Sequence, residues 1–407
     1  MFGFLRKKGD RPVVYKRQDH CISRKNIDAD ALKVLYRLSK LGYKAYLVGG
    51  GVRDLLMGRA PKDFDVATNA TPNEIKRAFR NCFLIGRRFR LAHIRFGEKV
   101  IETATFRRNA QTVGEIIEHA ADGPMEDNTF GTPQTDAFRR DFTINGLFYN
   151  IEDFSVIDWV GGMEDIERKV VRSIGDPEIR FQEDPVRMMR AIKFSARLGF
   201  KIERKTAAAM KKYHQFILNA SVPRVCEEVF RLFTYGHSAE AFYQMYACGM
   251  LSDLIPELGK FIDRDGGKKS KTFKYLKTLD KYEQMMSEKG FEVSNGLRAA
   301  VLMTALFSQE KKNGAGRKVM QYMMKTLKMP KATYFTAVTL MESKERFSLS
   351  PQKGKQRFVY SRDFLDALDY NRIVLKSEKR SERMLNEWAD LYESKRKEDE
   401  NGPQKEP

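Results

Sequence analysis

The sequence predicts an α+β protein, in which a small mixed α/β domain is followed by a chain that is almost entirely helical. In the first third, short apolar runs typical of strands alternate with helical patterns, whereas from Asp184 onward apolar residues recur at helical spacing. The third observation is charge: 74 Lys and Arg against 54 Asp and Glu give a net charge of +20. This excess is larger than solubility requires and indicates a polyanionic partner, either nucleic acid or an anionic membrane surface.

A length of 407 residues predicts two to four domains. Four cysteines without a CxxC pair indicate neither a zinc site nor a disulfide framework, and they suit a reducing cytoplasm, the expected location. The start, Met1 to Lys8, lacks the apolar segment of a signal peptide, and no run of 18 apolar residues predicts a transmembrane helix. The predicted segments are a basic arm (1–25), the α/β domain (26–168), a first helical region (169–240), a Lys-rich helical region (241–390) and a disordered charged tail (391–407).

Periodicity and stop signals define the elements of the α/β domain. Ile27, Ala31, Val34, Leu35 and Leu38 share one helix face, and Gly42 ends that helix. Thr71-Pro72-Asn73-Glu74 is a capping box that starts another helix. The remaining predicted elements are strands at Ala45–Val48, Phe64–Ala67, Leu91–Phe96 and Val100–Ala104, and a short helix at Val52–Met57.

The helical part has clear boundaries only near its start. Apolar residues from Val186 to Leu198 predict one helix, which Gly199 ends, and Arg224 to Phe233 predict another. The region 263–383 is helical and rich in lysine.

A glycine-rich turn, Gly49-Gly50-Gly51, follows the first strand and opens a helix. Such a turn lets backbone N–H groups approach phosphate oxygens, and Arg53 could bind the same phosphate through its fork of donors. A turn without any ligand is an equally good interpretation of these residues alone.

A pair of aspartates and a single glutamate lie on or beside two predicted strands. Asp63 and Asp65, two apart on a strand, point to the same face, and their mutual repulsion favours a bound Mg²⁺ ion. Glu102, inside an otherwise apolar strand, is a candidate third carboxylate, although a structural salt bridge with Arg107 or another arginine explains it equally well. A solvated pair at a strand edge is the alternative for the two aspartates.

Two further motifs follow. In Arg139–Asn145, Arg140 could bind phosphate, while Asp141 and Asn145, spaced i,i+4, could contact ribose hydroxyls. In Glu183–Arg190, Asp184 is predicted to cap a helix on which Arg187 and Arg190 share a face, and an Asp beside an Arg can imitate the edge of a base. Ordinary capped helices with basic surfaces are the alternative in both places.

Together and in this order, these motifs resemble the class II tRNA nucleotidyltransferase/poly(A) polymerase family over about residues 20–390. The resemblance is carried by Leu47–Asp54 with Lys62–Asp65, by Arg139–Asn145 and by Glu183–Arg190. Gly86–His93 and His20–Lys25 resemble the bacterial poly(A) polymerase branch. The short mixed-charge end from Lys395 departs from the long Arg-rich tail of many such enzymes, which puts tail-dependent processivity in doubt.

The resemblance implies a nucleotidyltransferase head followed by helical neck, body and tail. It implies that Asp63 and Asp65 bind Mg²⁺, as two ions for which Mn²⁺ could substitute. It implies that Asp141 is the third essential carboxylate, in competition with Glu102. The implied nucleotide-binding residues are Gly50, Arg53, Arg140, Asn145, Asp184, Arg187 and Arg190.

The expected function is template-independent transfer of AMP from ATP to RNA 3′ ends, as in polyadenylation during RNA processing and decay. The acceptor would be mRNA or another transcript, including tRNA, and not DNA. The alternatives are a CCA-adding or A-adding tRNA enzyme, a non-catalytic RNA-binding protein, and a transferase acting on a small molecule. The oligomeric state is not indicated by the sequence.

Overall fold

The computed structural model describes residues 11–86, 90–108, 130–312, 316–351 and 356–400. They form two compact units. The first contains the described residues up to Pro177 together with Lys201–Thr206, and the second contains Glu178–Phe200 and the described residues from Ala207 onward. The α+β class is confirmed, because the first unit holds a mixed sheet and the second is helical.

An eight-stranded sheet organises the described part of the first unit, in the order β1-β8-β7-β2-β3-β6-β5-β4. Neighbouring strands are antiparallel except β3 and β6, which are parallel. A separate parallel pair is formed by β9 and β10. The strands are β1 Val13–Tyr15, β2 Ala45–Val48, β3 Asp65–Thr68, β4 Cys82–Ile85, β5 Leu91–Phe96, β6 Lys99–Thr105, β7 Leu147–Asn150, β8 Val156–Asp158, β9 Val170–Val171 and β10 Lys201–Ile202.

The helices of this unit begin where their caps predict. The side chain of Asp28 accepts hydrogen bonds from the first N–H groups of α1, and the Thr71–Glu74 capping box starts α3. Gly42, at φ +83°, follows the end of α1 in the left-handed conformation that favours glycine. The helices are α1 Ala29–Lys40, α2 Gly50–Leu56, α3 Pro72–Ala78, α4 Pro133–Arg139 and α5 Gly162–Glu167.

The two faces of the sheet are covered differently. One face packs against α1 and α3 and forms the larger core, with residues such as Leu47, Val66 and Ile101. On the opposite face a smaller cluster, which includes Val48, Phe106 and Phe148, covers the part near β2 and β7. This second face carries the candidate site.

The second unit is built from helices around an apolar core that includes Phe233, Phe242 and Trp388. Gly199, at φ +70°, ends α7 as predicted. In the described residues no helix is both long and apolar enough to cross a membrane. The helices are α6 Pro177–Glu183, α7 Val186–Leu198, α8 Arg204–Tyr213, α9 Val222–Arg231, α10 Ser238–Ala247, α11 Met250–Leu254, α12 Pro256–Arg264, α13 Lys271–Glu288, α14 Asn295–Lys312, α15 Gly316–Thr326, α16 Lys331–Glu342, α17 Phe364–Glu378 and α18 Arg383–Glu400.

Both predicted chain ends differ from the structure. Within the predicted arm, Val13–Tyr15 pair with β8 as an edge strand, because apolar Val13 and Val14 are good strand formers. Within the predicted disordered tail, residues 391–400 continue α18, where pairs of opposite charge such as Lys395–Glu398 follow helical spacing.

Candidate active site

The glycine-rich turn joins β2 to α2. Gly49 has φ +72°, and its N–H donates to the carbonyl of Leu147. A Cβ atom on Gly49 would lie 2.9 Å from Nη1 of Arg140, closer than side chains tolerate. Glycine is therefore required here by the backbone conformation, and a larger residue would also displace the Arg140 guanidinium, which brings a positive charge to the turn.

Arg53, on α2, is buried among protein groups. Its side chain is only 2% exposed. Nε and Nη2 contact Oδ1 of Asp54 at 2.9 and 2.7 Å, and Nη1 donates to Oδ1 of Asn145 at 2.6 Å. Arg53 thus ties α2 to the motif that contains Asn145, and its donors face protein acceptors.

Arg140 follows the last residue of α4 and is held by Asp136. Nη2 and Nε donate to Oδ2 of Asp136 at 3.0 and 3.3 Å, and the guanidinium lies 5.3 Å from the ring centre of Phe148. Asp136 is 1% exposed and also pairs with Arg139 at 2.7 Å. The sequence reasoning did not identify Asp136, although its spacing of three and four residues from the two arginines is a helical pairing signal.

Asp141 and Asn145 face each other. Oδ1 of Asp141 accepts hydrogen bonds from the N–H of Phe142 at 2.8 Å and from Nδ2 of Asn145 at 3.1 Å. Both residues are buried, and a short 3₁₀ turn over Thr143–Asn145 sets their separation. Together with Arg53 they form a buried polar chain beneath the glycine-rich turn.

An acidic group occupies the edge of the second face. Asp65 begins β3, and the parallel register that pairs Val66 with Thr103 places Asp65 beside Glu102 on β6. Burial, and the neighbouring charges of Glu102 and Asp63, raise the pKa of Asp65 to about 6, against an opposing effect of Arg140. The three carboxylates predicted from strand geometry are therefore close enough to interact electrostatically.

The alternative role predicted for Glu102 was a structural salt bridge with Arg107. The structure does not decide in favour of that salt bridge. Glu102 pairs with His93 on β5, where Nε2 of His93 and Oε1 of Glu102 are 3.7 Å apart. Glu102 remains 51% exposed, and it is thus accessible from solvent on the open side of the sheet.

The donor set fits a magnesium ion bound partly by substrate. Among the described residues, no three His, Cys, Asp or Glu side chains form a group that could hold a metal by themselves. Mg²⁺ is usually held by one or two carboxylates together with substrate phosphates, and Asp63 and Asp65 supply such a pair. The pKa of Asp65 is raised first by burial and then by the neighbouring charges of Glu102 and Asp63, and a divalent cation would offset those charges.

The motif predicted to select the base lies in the second unit. α7 begins at Val186, and Asp184 does not cap it; its carboxylate pairs with Arg224 at 2.9 Å instead. Nη1 of Arg187 donates to the carbonyl of Arg180 and to Glu183, both at 3.2 Å. Arg190 lies on the same helix, with its guanidinium 5.9 Å from the ring centre of Phe194.

The segment that predicted the poly(A) polymerase branch, Gly86–His93, is only partly described. Residues 87–89 lie outside the described residues. His93 lies on β5 directly opposite Glu102.

Comparison with known proteins agrees with this geometry. Residues 45–172 match the family model described as the poly A polymerase head domain. Residues 199–262 match the model described as a "Probable RNA and SrmB-binding site of polymerase A". The chain therefore contains a poly A polymerase head domain and is similar to poly(A) polymerases and CCA-adding enzymes, which are nucleotidyltransferases.

Two curated relatives and one solved structure show the range of the family. The chain is 46% identical over 258 residues to poly(A) polymerase I of Salmonella typhi, which covers 62% of this chain and 56% of the relative. It is 37% identical over 227 residues to the CCA-adding enzyme of Lactobacillus helveticus, covering 56% and 55%. The CCA-adding enzyme of Bacillus stearothermophilus in complex with CTP superposes with a TM-score of 0.66 at 25% identity, covering 88% of this chain and 82% of that one. The chain thus spans little more than half of these curated relatives.

Proposed function

We propose that the protein is a poly(A) polymerase, which transfers AMP from ATP to the 3′ end of RNA without a template. The carrying observation is the acidic edge of Asp63, Asp65 and Glu102 beside a glycine-rich turn that Arg140 approaches. In the transfer, the RNA 3′-hydroxyl oxygen attacks the α-phosphorus of ATP, its proton is released, and pyrophosphate leaves.

The residues of the first unit take distinct parts in this proposal. Asp63 and Asp65 would hold Mg²⁺, as two ions with Mn²⁺ as a substitute, and the metal supplies charge stabilisation to the phosphates. Glu102 is the third carboxylate on this edge. The Gly49–Gly51 turn and Arg140 face the triphosphate, where backbone N–H groups and a guanidinium favour negative charge.

The buried polar chain beneath the turn has a supporting part. Hydrogen bonds link Arg53 to Asn145 and Asn145 to Asp141, so we propose that these residues position the Gly50 backbone and Arg140 rather than contact the nucleotide. In the second unit, Asp184 and Arg187 remain the proposed readers of the base, with Arg190 nearby. They would exchange their present partners, Arg224 and Glu183, for the edge of adenine.

RNA as the acceptor is supported by the second unit. Its exposed lysines give a strongly positive surface of the kind that binds a phosphate backbone. They are Lys268, Lys269, Lys271, Lys274, Lys277 and Lys281, all on or just before α13.

An incorporation assay tests this function. The protein is given an unstructured RNA or a tRNA that lacks its CCA end, with ATP or CTP, in the presence of Mg²⁺. Long adenylate extension of the unstructured RNA is expected. Incorporation of CTP, or arrest after one AMP on tRNA, would replace the proposal by the CCA-adding or A-adding alternative, which the 37% identical relative keeps open.

A substitution separates catalysis from binding. Asp63→Ala should reduce AMP incorporation at least a hundredfold while RNA affinity stays within twofold. Equal incorporation by this variant would exclude Asp63 as a metal ligand. RNA affinity of the wild type that hardly weakens between 50 and 200 mM salt would favour a small-molecule transferase, because phosphate contacts make binding salt-dependent.

A further inference from the structure

We infer that the open side of the sheet, from Glu102 across His93 to Phe83, binds the 3′ end of the RNA, with Phe83 stacking against a base. This row of side chains is called the primer row below. The inference rests on the proposed function and adds to it a binding site for the acceptor strand.

Strand register places the primer row in one line. Phe83 on β4 is directly opposite His93 on β5, and His93 is directly opposite Glu102 on β6. The parallel pairing of β6 with β3 then brings Glu102 next to Asp65. Residues directly opposite each other share a face, so one continuous row runs from the acidic edge to the last strand of the sheet.

The two ends of the primer row, Phe83 and Glu102, are exposed, while the His93 side chain between them is 22% exposed. Phe83 is 54% exposed and the Glu102 side chain 51% exposed, whereas the alternate residues Cys82, Ile94 and Ile101 are buried in the core on the other face. Toward β2 and β7 the same face is covered by the cluster around Phe148. Core packing explains the apolar residues on the other face of these strands. It does not explain the exposed phenyl ring of Phe83.

The chemistry at Phe83 favours RNA as the occupant. The guanidinium of Arg95 lies 5.1 Å from the centre of the Phe83 ring, so an aromatic face and a positive charge occur together. An aromatic ring with a neighbouring arginine is the usual platform for an unpaired base and its phosphate. A protein partner would gain little from Arg95. An RNA strand would gain both the stacking of a base on Phe83 and the contact of a phosphate with Arg95.

The length of the row suits a strand that ends at the acidic edge. Phe83 lies three strand spacings from Asp65, which is about 14 Å at roughly 4.8 Å per spacing. Stacked nucleotides of one strand rise about 3.4 Å each. A base a few nucleotides upstream of the 3′-hydroxyl would therefore reach Phe83 when the hydroxyl lies beside Asp65.

Steady-state kinetics with Phe83→Ala test the site. We expect the KM for an oligoadenylate primer to rise about tenfold, since stacking on an aromatic ring strengthens binding of a base by roughly five- to 150-fold. The KM for ATP and the kcat at saturating primer should stay within twofold. Phe83→Trp should restore the primer KM, whereas Phe83→Leu, which is apolar but cannot stack, should not.

The matched control is Phe291→Ala, which removes a phenyl ring that is 62% exposed in the second unit. It should leave the primer KM unchanged. Fluorescence anisotropy of the labelled primer, without ATP, provides a readout that needs no catalysis. If the wild type adds no AMP but Phe83→Ala still weakens primer binding tenfold, the proposed function fails and the binding site stands. An unchanged primer KM and affinity in Phe83→Ala, or equal losses toward ATP and primer, would overturn the inference.

Discussion

Removal of the Arg53 side chain distinguishes a buried structural role from phosphate binding. Arg53→Ala would leave Asp54, which is 4% exposed, without its guanidinium partner and would take a donor from Asn145. Loss of one partner from a buried ion pair costs about 3–5 kcal/mol, because the remaining charge stays desolvated. We therefore expect the free energy of unfolding to fall by about 3–5 kcal/mol.

Urea denaturation and ATP kinetics measure the two roles separately. Asp54→Ala should destabilise the protein by a similar amount, and the double variant should lose clearly less than the sum, with a coupling energy of about 1–3 kcal/mol. Arg77→Ala, at an exposed arginine on α3, is the control and should change stability by less than about 0.5 kcal/mol. If Arg53→Ala kept wild-type stability and raised the KM for ATP more than tenfold, Arg53 would be a phosphate ligand, and the structural reasoning would be refuted.

Three further predictions follow from the same site. Because the pKa of Asp65 is raised from 3.8 to about 6, the metal-free folded state holds a proton that the unfolded chain releases, and this stabilisation is lost as pH rises from about 4 through 6. Asp65→Asn should thus raise the free energy of unfolding, measured by urea denaturation in EDTA, by about 3 kcal/mol at pH 7.5 and by little at pH 4. The same variant should lose activity. An equal gain in stability at both pH values would contradict this prediction. Gly49→Ala should cost about 1–2 kcal/mol from its positive φ and raise the KM for ATP by displacing Arg140, and an unchanged KM would show that the contact is unimportant. Asp136→Ala should lower the free energy of unfolding by about 3 kcal/mol, checked by urea denaturation against Asp136→Asn, which keeps part of the hydrogen bonding.

Local signals in the chain were sufficient for most elements around the site. Helix α1 follows from its apolar period and its Gly42 stop, α3 from the Thr71–Glu74 capping box, and the strand at Leu91–Phe96 from its alternation. Each of these depends on residues within one or two turns of each other, so their physics is readable from short windows. The nearness of Asp63 to Asp65 is equally local, although β3 begins at Asp65 and Asp63 lies before the strand on which it was predicted.

Partners distant in the sequence could not be read in this way. Arg53 lies 92 residues from Asn145, and neither periodicity nor composition indicates that their side chains meet. An arginine beside a glycine-rich turn looks like a phosphate ligand in a sequence, and only its burial shows that protein acceptors occupy its donors. Asp184 pairs with Arg224, 40 residues further along the chain, instead of capping α7, and this too could not be read from a short window.

The chain by itself therefore specifies an α+β protein with a metal-compatible aspartate pair, a glycine-rich turn and a strongly basic surface. Those properties reside in residue types and short spacings. The tertiary structure decided that β6 lies parallel to β3, which brings Glu102 beside Asp65, and that Phe83 ends the same row. Strand order is a property of long-range packing, because a strand can pair with any neighbour whose register buries its apolar face.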